Sequence, residues 1–214
     1  MAEAFLLIAA ATGATLLLTV SAALIGIVLG APLVLLAQSR SAILRGIYTV
    51  FVHVVRGVPA LVWLFIAFFG LAELGIVLPA LASAVLTLGI IAIATMAEIY
   101  RGGLAAIRQG QYEAGWALSL GRWSLAKDII FPQLFRAVSP TTATYIVGLL
   151  KDSALASIIG VPEIVYVTGL EVQSLGHGLE LFLFAGLIYL ALSIPLGVVS
   201  RVIHVRLTRR YAVL

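Results

Sequence analysis

Residues 4–37 contain no charged, amide or imidazole side chain. A helix needs roughly 20 apolar residues to cross the ~30 Å hydrocarbon core of a bilayer, so this run is read as a crossing over about 14–37, preceded by an interfacial helix broken near Gly13. No Lys or Arg precedes it, which argues against a secretory signal peptide. Four further segments follow. Residues 46–72 form the second, interrupted at HVVRGVP, where Pro59 lacks a backbone N–H and should kink or break the helix. The third is 74–97. The fourth, 134–150, runs into LLKDSALASIIGVPE at 149–163, an apolar stretch ended by Gly160 and Pro162 that reads as a short re-entrant or interfacial helix. The fifth is 181–203.

The chain is 63% apolar and 10% charged, too few polar residues to clothe a water-soluble domain. One integral membrane domain over 1–214, all-α with about five crossings, is expected. Lys and Arg outnumber Asp and Glu by 13 to 9, but they lie between apolar runs, where they report topology rather than nucleic-acid binding. With the N-terminus outside, eleven cations (Arg40, Arg45, Arg101, Arg108, Arg122, Lys127, Arg136, Arg201, Arg206, Arg209 and Arg210) fall on the cytoplasmic side, against Lys151 outside. The positive-inside rule therefore selects N-out, C-in. The absence of cysteine excludes disulfides, thiolate metal sites and cysteine nucleophiles. His53, His177 and His204 lack metal-ligand spacing.

The connection between the third and fourth segments, about 105–133, is far longer than a turn requires, and loops of that length carry function or disorder. Trp116, Leu118, Leu120, Trp123, Ile129, Ile130 and Phe131 speak for order. Two short helices are expected, about 111–119 and 122–130, with Gly121 as the left-handed cap between them and Pro132 stopping the second. Trp123, Ala126 and Ile130 would share one face of the second helix, and Ser124, Lys127 and Asp128 the other. By itself such a loop is either a docking element or a plain interfacial segment.

The order Glu113-Ala114, Gly121, then Ile130-Phe131-Pro132-Gln133 resembles the EAA loop of ABC importer permeases. RGVPALVWLFIAFFG at 56–70, AEIYRGGL at 97–104 and LLKDSALASIIGVPE at 149–163 are similar to further motifs of the polar amino-acid permeases, in the same order. The resemblance implies a type I importer permease fold and an ATPase-coupling role for Glu113, Ala114, Gly121, Arg122 and Pro132. It also implies ABC ATPase subunits carrying ATP and magnesium, a second permease, homo- or heteromeric, and an extracytoplasmic solute-binding protein, all around a chain embedded in the lipid of a bacterial cytoplasmic membrane that binds no cofactor itself. The chain departs from the pattern in several places. EAGWALS stands where EAARALG is usual, so Ser119 replaces a common glycine and Trp116 a basic residue. Ile91, Ala92 and Ile93 replace a polar run, and Thr144 an asparagine.

Candidate pathway residues are Arg56, Glu98, Thr144, Lys151, Asp152, Ser153 and Glu163. Arg56 lies inside an apolar segment, where a charge faces protein or water, or snorkels. Glu98 and Arg101 have the spacing of a local ion pair. Lys151, Asp152 and Ser153 follow a short crossing, where broken helices place charge against a solute, although an exposed loop pair reads the same way. Glu163 follows the Gly-Val-Pro break, facing a cationic amine or a partner subunit. Neither Ala126-Lys127 nor Leu150-Lys151 ends a phosphate loop, so ATP hydrolysis is expected elsewhere and the chain is not read as an enzyme. The competing reading is an ion-gradient-driven transporter or channel subunit, which would place proton-relay carboxylates deep in the helices. An intramembrane enzyme would need paired aspartates or a metal cluster.

Overall fold

The computed structural model describes the backbone of residues 1–209, and side chains through Val198 together with Arg201 and Val202. Every regular element among the described residues is helical. Helices α1 (Ala2–Ala10) and α2 (Thr12–Ala37) are parted only by Ala11, so the break falls there rather than near Gly13. Helix α3 (Ala42–Gly57) turns through 97° at Pro59 into α4 (Ala60–Glu73). The Trp63 indole braces this corner by donating to the Val55 carbonyl at 3.1 Å.

The third crossing starts later than its apolar composition suggests. Leu74–Pro79 form the turn, with Gly75 at φ +83°, and α5 occupies Ala80–Ala105, carrying the AEIYRGG residues inside the helix. After the short α6 (Gln109–Ala117), α7 (Arg122–Ile159) is one run of 38 residues. It opens α-helical, passes through a π turn at Leu125–Ile130, continues α-helical over Phe131–Asp152 and tightens to 3₁₀ over Ser153–Ile159. Pro132 therefore does not stop a helix. It stands in the first turn after the π segment, where its missing N–H removes no bond of the α-helix that follows. Gly160, at φ +85°, ends the run as expected. A further helix, α8 (Ile164–Leu175), was not legible beforehand, and α9 (Gly178–Arg209) closes the described chain.

Four of these helices are long and apolar enough to cross a bilayer, and α3–α4 supplies a fifth if its bent halves count as one span. The tightest pairing, α2 on α5, rests on missing side chains. A Cβ on Gly26 would lie 2.5 Å from that of Ala92, and one on Gly30 would lie 2.8 Å from that of Met96. Small residues four apart let helix backbones approach where burial of apolar surface gives no drive. The Tyr100 hydroxyl seals the contact by donating to the Ile27 carbonyl at 2.9 Å. Ala92, which stands in the place of a polar run, is thus a fully buried packing residue under α2. On the outside the pattern inverts. Leu183, Leu187, Leu190 and Ile194 of α9 are all more than half exposed, as a lipid-facing helix requires.

Candidate functional site

Two regions collect the candidate residues. The first is the corner formed by α6 and the start of α7. Ordinary residues with the spacing of one short helix build α6, and its C-terminus closes with the Leu120 N–H on the Gly115 carbonyl and the Ser119 N–H on that of Trp116. This is the paired bonding of a Schellman end, whose left-handed position is taken here by Ser119 at φ 55°. The expectation for Gly121 is corrected accordingly: its φ is −62°, and it is the extended residue just before α7. The signal was in the sequence, because Ser119 is the residue that stands where the resembling loops carry glycine.

Gly115, missed as a functional position, is the one buried residue of α6, and a Cβ there would meet Leu125 Cδ1 at 2.5 Å. A glycine inside a helix costs about 1 kcal/mol relative to alanine, which is the signal that marks a packing contact. Gln133 adds a polar tie, donating to Gln111 Oε1 at 2.9 Å and to the Ile129 carbonyl. The corner is thereby fixed to the transmembrane helix it precedes. The inward face of the π turn is Leu125 and Ile130, whereas Trp123 points away, so the expected grouping of Trp123 with Ile130 does not hold. Glu113, Ala114, Arg122 and Pro132 are all exposed. Beside them stand Trp116 at 61%, Leu118 at 72% and Trp123 at 77% exposure, a bare aromatic and aliphatic surface rimmed by charge. A run of 38 residues is nearly twice what a crossing needs.

The second region is an open cavity of about 610 Å³ between α3, α5 and α7. Arg56, Thr95, Glu98, Thr141, Thr144 and Tyr145 supply its polar lining. Thr141, Thr144 and Tyr145 share one face of α7 by helical spacing, and Thr144 donates to the Pro140 carbonyl at 3.1 Å. Glu98 is engaged on every side. Arg101 grips it through Nε at 2.8 Å and a terminal nitrogen at 2.9 Å, the Tyr48 hydroxyl donates to it, and Arg56 lies 3.8 Å away. The expected local pair is present, extended across to α3. The Tyr145 hydroxyl is buried and faces the Thr95 side chain.

The remaining candidates lie outside this lining. Lys151 and Asp152 are exposed, and among the described residues neither forms a salt bridge. Ser153 is buried and donates to the Leu150 carbonyl at 2.7 Å. Glu163 is fully buried and caps α8, accepting from the Tyr166 N–H at 2.7 Å and the Tyr189 hydroxyl at 2.8 Å. Burial pushes its carboxyl above the ordinary range, against the pull of those bonds. It holds helices together where the sequence suggested contact with an amine or a partner.

Comparison with known proteins locates this geometry. The profile of the family described as "Binding-protein-dependent transport system inner membrane component" matches residues 22–213. A probable amino-acid ABC transporter permease protein of Bacillus subtilis, YckA, is 35% identical over 162 residues, spanning 76% of this chain and 72% of the relative. The arginine transport system permease protein ArtQ of the same organism is 32% identical over 194 residues, spanning 90% and 89%. Among solved structures, an amino acid ABC transporter crystallised with histidines superposes with a TM-score of 0.90 at 26% identity over 96% of each chain. The MetNI methionine ABC transporter, in an inward-facing conformation, shares the fold with a TM-score of 0.79 at 17% identity, over 94% of this chain and 96% of that one.

Proposed function

Because this chain belongs to the binding-protein-dependent transport inner-membrane components, and is the permease component of an amino-acid ABC importer, we propose that it couples ATP hydrolysis on a separate subunit to passage of a polar amino acid or related amine. The observation that carries the reading is the α6–α7 corner: Glu113, Trp116, Leu118 and Trp123 form a rigid, charged and apolar surface at the end of a helix that also lines a cavity. Exposed aromatic surface of this kind marks a protein contact, and the partner it suits is the ATPase.

In this scheme the N-terminus is outside and the corner is cytoplasmic, in a bacterial inner membrane. The ATPase binds ATP and magnesium. A second permease and an extracytoplasmic receptor complete the assembly. Closure of the ATPases moves α6, and the Gly115–Leu125 contact and the Gln111–Gln133 bond transmit that movement to α7 and its cavity-lining residues. Arg56, Thr144 and, further along α7, Asp152 stand on the solute's route, whereas Ser153 and Glu163 keep the far end packed. The test is uptake into proteoliposomes holding the permease, its ATPase and the receptor. Uptake that requires internal ATP supports the proposal. Uptake driven by an ion gradient with no ATPase present would establish the gradient-driven reading instead.

A further inference from the structure

Three irregularities in the helices meet at one buried carboxylate. The α1–α2 break at Ala11, the change of α7 from α to 3₁₀ at Ser153 and the start of α8 after Glu163 are separate places along the chain. Hydrogen bonds gather them. Glu163 is fully buried and uses both carboxylate oxygens, Oε1 for the Tyr166 N–H of its own helix and Oε2 for the Tyr189 hydroxyl of α9. The Thr15 hydroxyl of α2 accepts from the Ile164 N–H at 3.3 Å and turns its proton to the Ala11 carbonyl. The hydroxyls of Ser153 and Thr15 both face that of Tyr189. Four helices thus share one polar knot, set against the apolar cluster of Ala4, Ile8, Ile164, Leu181 and Ala185.

A buried carboxylate with both oxygens engaged is costly to undo, because losing a partner leaves charge unpaired away from water. The knot therefore holds while weaker contacts shift. At the other end of α7 the ties to α6 are the packing of Gly115 on Leu125 and one exposed glutamine pair. Between α7 and the knot lies the 3₁₀ segment Ser153–Ile159, whose hydrogen bonds have poorer geometry than those of an α-helix. Its two flanks, Ser153 and Glu163, both return to the knot. Helix α7 is a rod pinned at one end and lightly held at the other. At about 1.5 Å rise per residue, Thr141–Tyr145 lie roughly 12–18 Å from Ser153, whereas Arg122 lies about 46 Å away. A swing about Ser153 moves the cavity face about a third as far as the corner.

We infer that Glu163 is a positioning residue for transport: with Tyr189 it fixes the far end of α7 as the fulcrum about which movement of the α6–α7 corner swings the cavity-lining residues. The inference rests on the proposed coupling through the corner and deepens it by assigning the end of α7 that stays still. Glu163 acts through α7 and does not touch the solute.

The test uses the permease, its ATPase and the receptor in proteoliposomes. Leu29→Cys on α2 is paired with Lys127→Cys, Phe135→Cys or Ile158→Cys, all exposed positions in a chain without cysteine, and each pair is spin-labelled. Labelled chain is diluted into unlabelled chain so that distances are read within one copy. Between the nucleotide-free and the ATP-trapped complex, the distance to residue 127 should change most and that to residue 158 should not change. The distance to residue 135 should change about two-thirds as much as the first, in proportion to its separation from Ser153. Tyr189→Phe removes one hydroxyl. It should set residue 158 in motion and lower solute uptake per ATP hydrolysed by up to about 10-fold, the equilibrium worth of one hydrogen bond to a charged group. Glu163→Gln, which keeps a neutral contact, should fall between. Thr168→Val is the control, because Thr168 is as buried and on the same helix but bonds only to the Ile164 carbonyl within it, at 2.6 Å. It should change neither readout. The inference is overturned if residue 158 moves as far as residue 127 in the unaltered complex, if residue 127 does not move, or if Thr168→Val acts as Tyr189→Phe does. It is overturned equally if a still residue 158 and full uptake per ATP survive in both Tyr189→Phe and Glu163→Gln. Absence of ATP-driven uptake by the unaltered complex counts against the importer reading, whereas uptake without the graded distances counts against the fulcrum alone. Uptake is normalised to co-purified ATPase, and Glu163→Gln carries the comparison if Tyr189→Phe fails to assemble.

Discussion

Replacing Gly26 by alanine is expected to force α2 and α5 apart. The added methyl would sit 2.5 Å from Ala92 Cβ and 2.8 and 2.9 Å from the Ala92 carbonyl carbon and oxygen. Carbon atoms in contact prefer about 3.5–4.0 Å, so the helices must separate by about 1 Å, because two of the three obstructing atoms are backbone and cannot rotate away. Overpacking of this kind costs about 1–3 kcal/mol. Alanine recovers about 1 kcal/mol of helix propensity over glycine, leaving a net loss of up to about 2 kcal/mol. The bond from Tyr100 to the Ile27 carbonyl, one residue along, would be stretched as well. Gly46→Ala is the matched control, since a Cβ on that α3 glycine meets nothing within 4 Å. Thermal unfolding of the purified protein in detergent should show a lowered midpoint for Gly26→Ala and an equal or raised one for Gly46→Ala. Equal midpoints for the two variants would refute the close-approach reasoning.

Ser119→Gly should stabilise the end of α6 by about 1 kcal/mol, because a side chain in the left-handed region costs about 1–2 kcal/mol that glycine avoids; slower amide exchange over residues 111–120 is the readout. Gly121→Val should assemble normally, since the residue has an ordinary backbone angle and open space around it, and loss of the ATPase from that variant would contradict the placement of the turn. Glu163→Gln removes a titration. The native carboxyl holds its proton to higher pH than the unfolded one, so stability should decline as pH rises from about 4.5 upward in the unaltered protein. Melting midpoints across pH 4–8 should show that decline, with a flatter profile in the variant. Glu113→Lys should lower uptake and receptor-stimulated ATP hydrolysis together, a reversed charge at an interface costing about 2–5 kcal/mol, while membrane insertion persists.

What could be read in advance follows the range over which each physical signal acts. Long apolar runs are local and strong, so the crossings, the broken second segment and the turn at Gly160 were legible. Their edges were not. Apolar residues 74–79 look like helix in a one-dimensional reading, yet Gly75 and Pro79 make them a turn. Pro132 was expected to end a helix because a π turn, which absorbs it, leaves no compositional mark. Glycines divide along the same line. Gly26 and Gly30 have the spacing of a helix contact, but their partner Ala92 is distant in sequence, so Ala92 looked like a lost polar position. Among the site residues, Arg56, Glu98 and Thr144 do meet at one cavity. That Glu98 ties α5 to α3 depends on Arg56 and on Tyr48, and the Tyr48 contact joins residues 50 apart in sequence.

The link between the α6–α7 corner and the ATPase can be measured directly, because the chain has no cysteine of its own. A single cysteine at position 113 or 116, carrying a short photo-activated cross-linker, is introduced into the co-expressed complex. Position 50, 63% exposed on the apolar outside of α3, serves as the control. Illumination should join residues 113 and 116 to the ATPase subunit and leave residue 50 unjoined to it. Labelled but uncrosslinked cysteines at both corner positions, in a complex that still pumps solute at the expense of ATP, would show that coupling runs through some other surface.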